Sequence, residues 1–559
     1  MNKGNIKNLL LKKEIILSII IITVSFFTTS YVNFVLIFPF YSIYIQDKKN
    51  KTISNLKKNW GFQKEKIRAY QIIDKFHKLN NKSKISIDDY TWNDLNMTSI
   101  FELVDRTLTS VGTSLLYDML RTLVFDVDKL SRRDRLIEKV KNDEGFRLEI
   151  QYELNKLGID ETGEITDLVF DKNIKNIPYN FVFSIQYFLV LLSFVSIIFL
   201  SQKAIFIILP ITIINMFTSY YFMRYYAHLI PSLRYLAKLM KTAISINKNR
   251  EKELIDYDLP ISESIKLTQR LRSKLRFLIL PVDVSVLEYL SIYYNLITLK
   301  EVRTYCAAIN QILKYQDHLK KIYEFVGTID SLQSVASYRI EFYDHCNPNF
   351  THDENSLLFC RNIYHPSVQN PIKNEIFIKN NGIIITGSNM AGKSTFLRAI
   401  GLNTILAQTL FMCHADYFSL GFMNVSSSIN QVDDVKRGKS FYYTEAERLL
   451  TLISNSNQSF RTLIIIDEML KGTNSKERQV ASLNILKYLK NQNSLVITAT
   501  HDLTLAQMLD KQFDNFHFTD DVNSSGLNFD YKLKEGISDT TNALKMLKIL
   551  GFPDEFFTN

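Results

Sequence analysis

The sequence predicts an α + α/β chain: transmembrane helical hairpins, an all-helical region between and behind them, and a C-terminal α/β domain. Three observations carry that expectation. The stretches Ile15–Ile45 and Phe181–Met223 are long and nearly free of charge. The polar sequence around them repeats apolar residues at helical spacing, without strand alternation. From about Ser356 the texture changes to short β-branched runs alternating with helices, the pattern of a mostly parallel sheet.

Taken in order, the first stretch is too long for one span. A single helix from Ile15 to Ile45 would reach roughly 45 Å against a hydrocarbon core of about 30 Å. A hairpin bent near residues 28–33 fits better, and lysines at both ends place both ends in the cytoplasm. A cleaved signal peptide is the rival reading, but the run is long and no small-residue cleavage site follows it. The next segment, to about Pro178, is polar and helical, with Ile100, Leu103, Val104, Leu108, Val111, Leu115 and Leu116 in helical register. The second apolar block is broken only by Ser201-Gln202-Lys203, which suggests a second hairpin; Pro210 is tolerated in a membrane helix. From Tyr225 to about Tyr343 the chain is again helical, including the long amphipathic run Val282–Val326. The expected divisions are residues 1–50 and 179–224 for the hairpins, 51–178 and 225–345 for the helical parts, and 346–559 for the α/β domain. A multi-pass protein of the cell membrane follows, with about four transmembrane helices and the α/β domain in the cytoplasm.

Composition narrows the function less. With 559 residues, 46% of them hydrophobic, the chain has room for several domains. A net charge of +10 suits nucleic acid or an anionic lipid surface, although lysines beside the apolar stretches (Lys12, Lys13, Lys48, Lys49, Lys51) are equally explained by membrane orientation. The run Lys266–Arg276 forms a basic helical face, for which a solvated face is the simpler reading. Cys306, Cys346, Cys360 and Cys413 show no metal-ligand spacing and read as buried thiols.

The chemistry lies in the last third. Gly387-Ser-Asn-Met-Ala-Gly392-Lys393-Ser394 satisfies GxxxxGK[ST], follows an apolar strand and opens a helix. Glycines let backbone N–H groups wrap phosphates, and the helix N-terminus favours their charge. Lys393 is placed to bridge the terminal phosphates, and Ser394 to hold Mg²⁺. Downstream, Leu463–Glu468 is an apolar run ending in two carboxylates. Asp467 is then available to the Mg²⁺ shell, and Glu468 to orient or deprotonate the attacking water. Thr498-Ala-Thr-His501-Asp502 closes another strand, so His501 is either a γ-phosphate or water partner or a surface turn histidine.

In this order, TGSNMAGKSTFLR, DDVKRGKSFYYTEAERL, LIIIDEMLKGTNSKER and TATHDL resemble the ATPase domain of the MutS mismatch-repair family. Residues 96–123 followed by 130–136 are similar to that family's helical core, and residues 327–337 with Tyr364-His365-Pro366 to its approach to the nucleotide. The resemblance implies a P-loop ATPase domain of the ABC type behind a helical core and levers, with ATP and Mg²⁺ bound in composite sites of a homodimer. It implies nucleotide contacts from Gly387, Ser388, Asn389, Met390, Ala391, Gly392, Lys393, Ser394 and Thr395, and catalytic roles for Lys393, Glu468 and His501. Ser440 would reach the partner's γ-phosphate, Glu445 would close that segment, and Gly472-Thr-Asn474 would cross the dimer interface. Two departures limit the analogy. Phe101-Glu102-Leu103 falls inside a core helix and offers no mismatch wedge, and the short span after Tyr225 leaves no room for a clamp. The expectation is therefore a membrane-anchored MutS-like ATPase that acts on DNA in repair or recombination by family analogy. The alternatives are an ATP-driven membrane remodelling or transport-coupled protein, and a tether that binds ATP without turnover.

Overall fold

A computed structural model describes residues 32–559 apart from 64, 81–84, 161, 172–179, 201–204, 227–228, 256, 258, 276–293, 295–297, 352–357, 379–381, 389–390, 430–440, 457–459, 472, 524–525, 539–551 and 554–559. The chain divides into two compact units, Met1–Trp60 and Gly61–Asn559. In the first, helix α1 spans Val32–Lys58.

In the second unit the chain is first helical. It runs through α2 (Tyr70–Asn80), α3 (Asp89–Asp94), α4 (Met97–Val104), α5 (Ser110–Arg121), α6 (Val127–Asn142), α7 (Glu144–Leu157) and α8 (Ile165–Phe170). It continues through α9 (Asn180–Leu200), α10 (Ile205–Tyr226), α11 (Leu229–Ile255), α12 (Ser262–Leu267), α13 (Gln269–Leu275), α14 (Lys300–Lys314) and α15 (Gln316–Glu341).

The structure overturns the expected transmembrane hairpins and the multi-pass membrane location. Among the described residues no helix is long and apolar enough to cross a membrane. Residues 15–31 of the first expected hairpin lie outside the described residues. Beyond them, α1 carries its apolar run into Gln46-Asp47-Lys48-Lys49-Asn50-Lys51, where Lys51 pairs with Asp47 at 2.5 Å. In the second block, α9 and α10 lie against each other and against α14. Gln186 donates to Thr218 Oγ1 at 3.1 Å, Phe222 meets Tyr305 edge to face at 5.4 Å, and the Arg303 guanidinium lies 3.9 Å over the Tyr187 ring. A run of apolar residues reads alike whether lipid or protein covers it; in this pair, protein and polar contacts occupy part of the surface.

The helical core is organised on α15, and its sequence explains why. Gly327-Thr-Ile-Asp330-Ser331-Leu-Gln-Ser334 presents small and polar side chains, so α5 crosses it closely. A Cβ on Gly327 would meet Leu115 Cδ2 at 3.0 Å, and one on Gly112 would overlap the Asp330 carboxylate at 2.1 Å. Polar groups left in this contact are satisfied across it. Ser331 donates to the carbonyl of Gly112 at 3.1 Å, and Ser334 to that of Val104 at 2.6 Å. Asp330 sits at the N-terminus of α5, where it accepts from Leu108 N, Thr109 N and the Thr109 hydroxyl. That is where a carboxylate is favoured by the helix dipole.

The C-terminal region adds two sheets. A small one has the order β1-β5-β2-β3, built from β1 (Asn349–Phe350), β2 (Leu358–Ile363), β3 (Asn374–Ile378) and β5 (Tyr417–Leu420). The larger has the order β10-β9-β4-β8-β7-β6, from β4 (Gly382–Thr386), β6 (Met423–Ser428), β7 (Arg461–Asp467), β8 (Ser494–Ala499), β9 (Asp514–Asn523) and β10 (Gly526–Glu535). Its pairs are parallel except β9 with β10. Its helices are α16 (Lys393–Leu410), α17 (Phe441–Asn455), α18 (Ser475–Lys490) and α19 (Leu503–Leu509). Ile384, Ile464, Ile466 and Val496 pack with apolar residues of α17, α18 and α19. Ile465 faces Gly401 of α16, where a Cβ would come within 2.7 Å. Both faces are thus covered, which is why the strands are continuous runs such as Ile383-Ile384-Ile385 and show no apolar–polar alternation.

The helical core grips this region by backbone carbonyls. Arg339 of α15 donates to Leu410 O and Phe411 O at 3.0 and 3.1 Å while paired with Asp134 and Glu138. Arg133 donates to Thr409 O at 2.8 Å. These carbonyls end α16, where cations are favoured.

Candidate functional site

The larger sheet brings three loop starts to one edge. Ile385 of β4 is level with Ala499 of β8, and Ala499 with Asp467 of β7. The carboxyl ends of these strands therefore line one crevice, the usual binding edge of an open α/β sheet. The loop after β4 needs its glycines. Gly387 has φ +133° with Phe518 O 2.7 Å from where a Cβ would stand, and Gly392, at φ +102°, caps α16. Lys393 is buried and folds back to donate to Gly387 O at 2.5 Å. The Ser394 hydroxyl donates to Asp467 Oδ2, joining the loop to the end of β7.

Beside Asp467, Glu468 has the left-handed φ of +56° and is only 7% exposed. Its N–H donates to Ala499 O at 3.0 Å. Its two oxygens lie 3.2 Å from His501 Nδ1 and 3.2 Å from Lys471 Nζ. Burial pushes its carboxyl up, but the Lys471 ammonium and His501 outweigh that and hold it below the ordinary carboxylate value. Glu468 is consequently ionised at neutral pH, with its charge held at the mouth of the crevice.

A cavity of 430 Å³ adjoins the loop, walled by Gly392, Ser394, Phe396, His365, Phe518 and Tyr531. Phe396 and Phe518 meet edge to face at 5.8 Å. This wall draws on β2, α16, β9 and β10, and no motif in the sequence joins them.

His365, in this wall, and His414 are buried and held neutral. Burial, then the Arg398 charge, pushes His365 down to about 4; burial, then His345 and His365, pushes His414 down to about 3. Both folded values lie below the ordinary 6.5, so the unfolded chain binds more protons at acid pH and stability is lost as pH falls below about 6.5. Each histidine is expected to cost roughly 2–3 kcal/mol between pH 7 and pH 4.5. Denaturation across that range checks this, and His414→Gln flattens the profile.

Of the expected site residues, Gly387, Ser388, Ala391, Gly392, Lys393, Ser394, Thr395, Asp467, Glu468 and His501 gather at this edge. Asn474 caps α18, accepting from Lys476 N at 3.1 Å. Asn389, Met390, Ser440 and Gly472 lie outside the described residues. Phe101 is fully buried against Tyr70 and Tyr117. Lys66 and Arg68 enclose the neighbouring Asp105 at 3.1 and 2.8 Å.

Residues 383–559 match the description MutS domain V. "DNA mismatch repair protein MutS" of Carboxydothermus hydrogenoformans is 29% identical over 268 residues, 46% of this chain and 31% of that protein. The C-terminal part of the chain, where the match lies, belongs to the MutS family. "MutS protein homolog 4" of Homo sapiens is 29% identical over 265 residues, 44% of this chain and 28% of that protein. "DNA mismatch repair protein MutS" of Thermotoga maritima is 30% identical over 265 residues, 45% and 32% of the two chains. The matched part spans about a third of the length of these curated relatives.

The residues fit a magnesium nucleotide. A hydroxyl and a carboxylate meeting at one point are the hard oxygen donors that Mg²⁺ prefers. Among the described residues the Ser388 hydroxyl in the loop is buried without a hydrogen-bond partner, as suits a group that faces a phosphate.

Proposed function

We propose that the chain is a MutS-type ATPase, binding and hydrolysing ATP with Mg²⁺ as a homodimer and coupling this to DNA. Residues 346–559 form the ATPase domain, and the helical part is its core and levers. The observation that carries this reading is the Ser394–Asp467 hydrogen bond, which joins the phosphate-loop hydroxyl to the acidic end of β7. Loop N–H groups from Gly387 to Thr395 and the Lys393 ammonium bind the phosphates; Ser394 and Asp467 hold the metal. Bound there, Mg²⁺ neutralises charge on the phosphates during transfer. Glu468 accepts a hydrogen bond or proton from the attacking water, with His501 beside it. Ser440 and Asn474 contribute from the partner subunit. DNA as the partner rests on the names of the relatives and on the exposed Lys266, Arg270 and Lys274 of α12 and α13.

Lys393→Ala is expected to weaken ATP binding by roughly 10- to 100-fold, the worth of one charge-assisted hydrogen bond. Titration with a fluorescent ATP analogue measures it, and unchanged affinity would place the nucleotide elsewhere. For the DNA arm, steady-state hydrolysis is measured with no DNA, matched duplex and mismatched duplex. Stimulation by either duplex supports the coupling; identical rates in all three conditions remove DNA from the proposal.

A further inference from the structure

We infer that Glu445 is a positioning residue for hydrolysis, holding the turn that aims the Glu468 carboxylate; this rests on the ATPase reading above. Glu445 lies on α17, is 3% exposed, and accepts the N–H of Leu470. That N–H ends an unusual turn. Glu468 and Leu470 both take left-handed backbone angles, φ +56° and +55°, although neither is glycine. Non-glycine residues stay in this region only where their surroundings over-determine it. Two contacts do so here. At one end Glu468 N–H is bound to Ala499 O of β8 at 3.0 Å; at the other, Leu470 N–H is bound to Glu445. The catalytic carboxylate thus projects from a turn clamped on either side.

Glu445 is itself held in place. One helical turn further along α17, Arg448 donates to Ser427 O at 2.7 Å and to Thr91 Oγ1 at 2.9 Å, and lies 3.2 Å from Asp88. The buried Asp94 of α3 accepts from the Ser427 hydroxyl at 2.8 Å and from Ile429 N at 2.9 Å. Helix α17 is therefore pinned to β6 and to the helical core. A displacement of α17 reaches Glu468 through Glu445 and Leu470 without passing through the nucleotide. Removing the carboxylate leaves the Leu470 N–H without this acceptor and lets the turn relax, so Glu468 keeps its charge and loses its aim.

The test compares Glu445→Ala, Glu445→Gln and Glu468→Gln in the full chain, by steady-state hydrolysis, fluorescent-ATP binding and thermal unfolding. Glu445→Ala is expected to lower kcat about 10- to 100-fold, as misplaced catalytic groups do, with KM for ATP and the ATP Kd changed less than about threefold. Glu445→Gln keeps an acceptor oxygen for the Leu470 N–H and is expected to recover most of kcat. The proposal is overturned if Glu445→Ala leaves kcat unchanged. It is equally overturned if both Glu445 variants lose ATP binding and kcat together, which marks a merely structural residue. The Glu468→Gln arm separates this failure from that of the reading beneath it. A wild-type chain that does not turn over ATP, or turns it over as fast as Glu468→Gln, removes both.

Discussion

Glu468→Gln is expected to lower ATP hydrolysis by about 10²- to 10³-fold while ATP binding stays close to that of the wild type, the range lost with a catalytic acid–base group. The substitution is nearly isosteric, so the turn at the end of β7 and its hydrogen bond to Ala499 O remain. What disappears is the negative charge that Lys471 and His501 keep ionised. A neutral amide can still touch a water, but it cannot take its proton. Binding survives because the loop glycines, Lys393 and Ser394 are untouched. The same variant tests the dimer. With hydrolysis blocked, ATP is expected to hold two ATPase domains together, raising the mass measured by light scattering. Unchanged mass on adding ATP would count against composite sites.

The second large effect is on stability. Asp330→Ala is expected to destabilise the helical core by about 3–5 kcal/mol, the cost of leaving several buried donors without their acceptor. Asp330 is fully buried, and its carboxylate accepts from Leu108 N, Thr109 N, the Thr109 hydroxyl and Gln333 Nε2. Alanine leaves these donors buried without their acceptor and opens a void against Gly112, whose missing Cβ makes room for the carboxylate. Asp330→Asn is expected to do less harm, because one oxygen still faces the start of α5, though its NH₂ group meets N–H donors. Chemical denaturation at constant m-value measures the difference. A loss under about 1 kcal/mol for the alanine variant would show that water replaces the carboxylate.

Much of this was legible in the sequence, and the reasons are local. Gly382–Thr386 reads as a strand because its run is β-branched and short, and it is β4. GxxxxGKS reads as a phosphate loop because positive φ at Gly387 and Gly392 demands residues without a Cβ. The paired carboxylates Asp467 and Glu468 stand out because they end an apolar run that follows the phosphate loop and precedes the strand closed by Thr498–Asp502. The spanning hairpins misled for an equally local reason. Apolar length is a property of one segment, whereas the Arg303–Tyr187 and Phe222–Tyr305 contacts that partly cover α9 and α10 come from α14, far along the chain. The 430 Å³ cavity could not be read at all, because its walls lie on strands and helices scattered over about 170 residues.

What the sequence determined by itself, then, is the chemistry of each short segment: a loop shaped for phosphate, a strand that ends in acid, and polar stretches with apolar residues at helical spacing such as Ile100–Leu116. Backbone sterics and side-chain type decide such features within a few residues. Only the tertiary structure decided which segments meet. Parallel registry places the ends of β4, β8 and β7 level, bringing Ser394 to Asp467 and His501 to Glu468. Packing of α17 under β6 sets Glu445 against Leu470. Those meetings depend on burying both faces of one sheet, a cooperative outcome of the whole core.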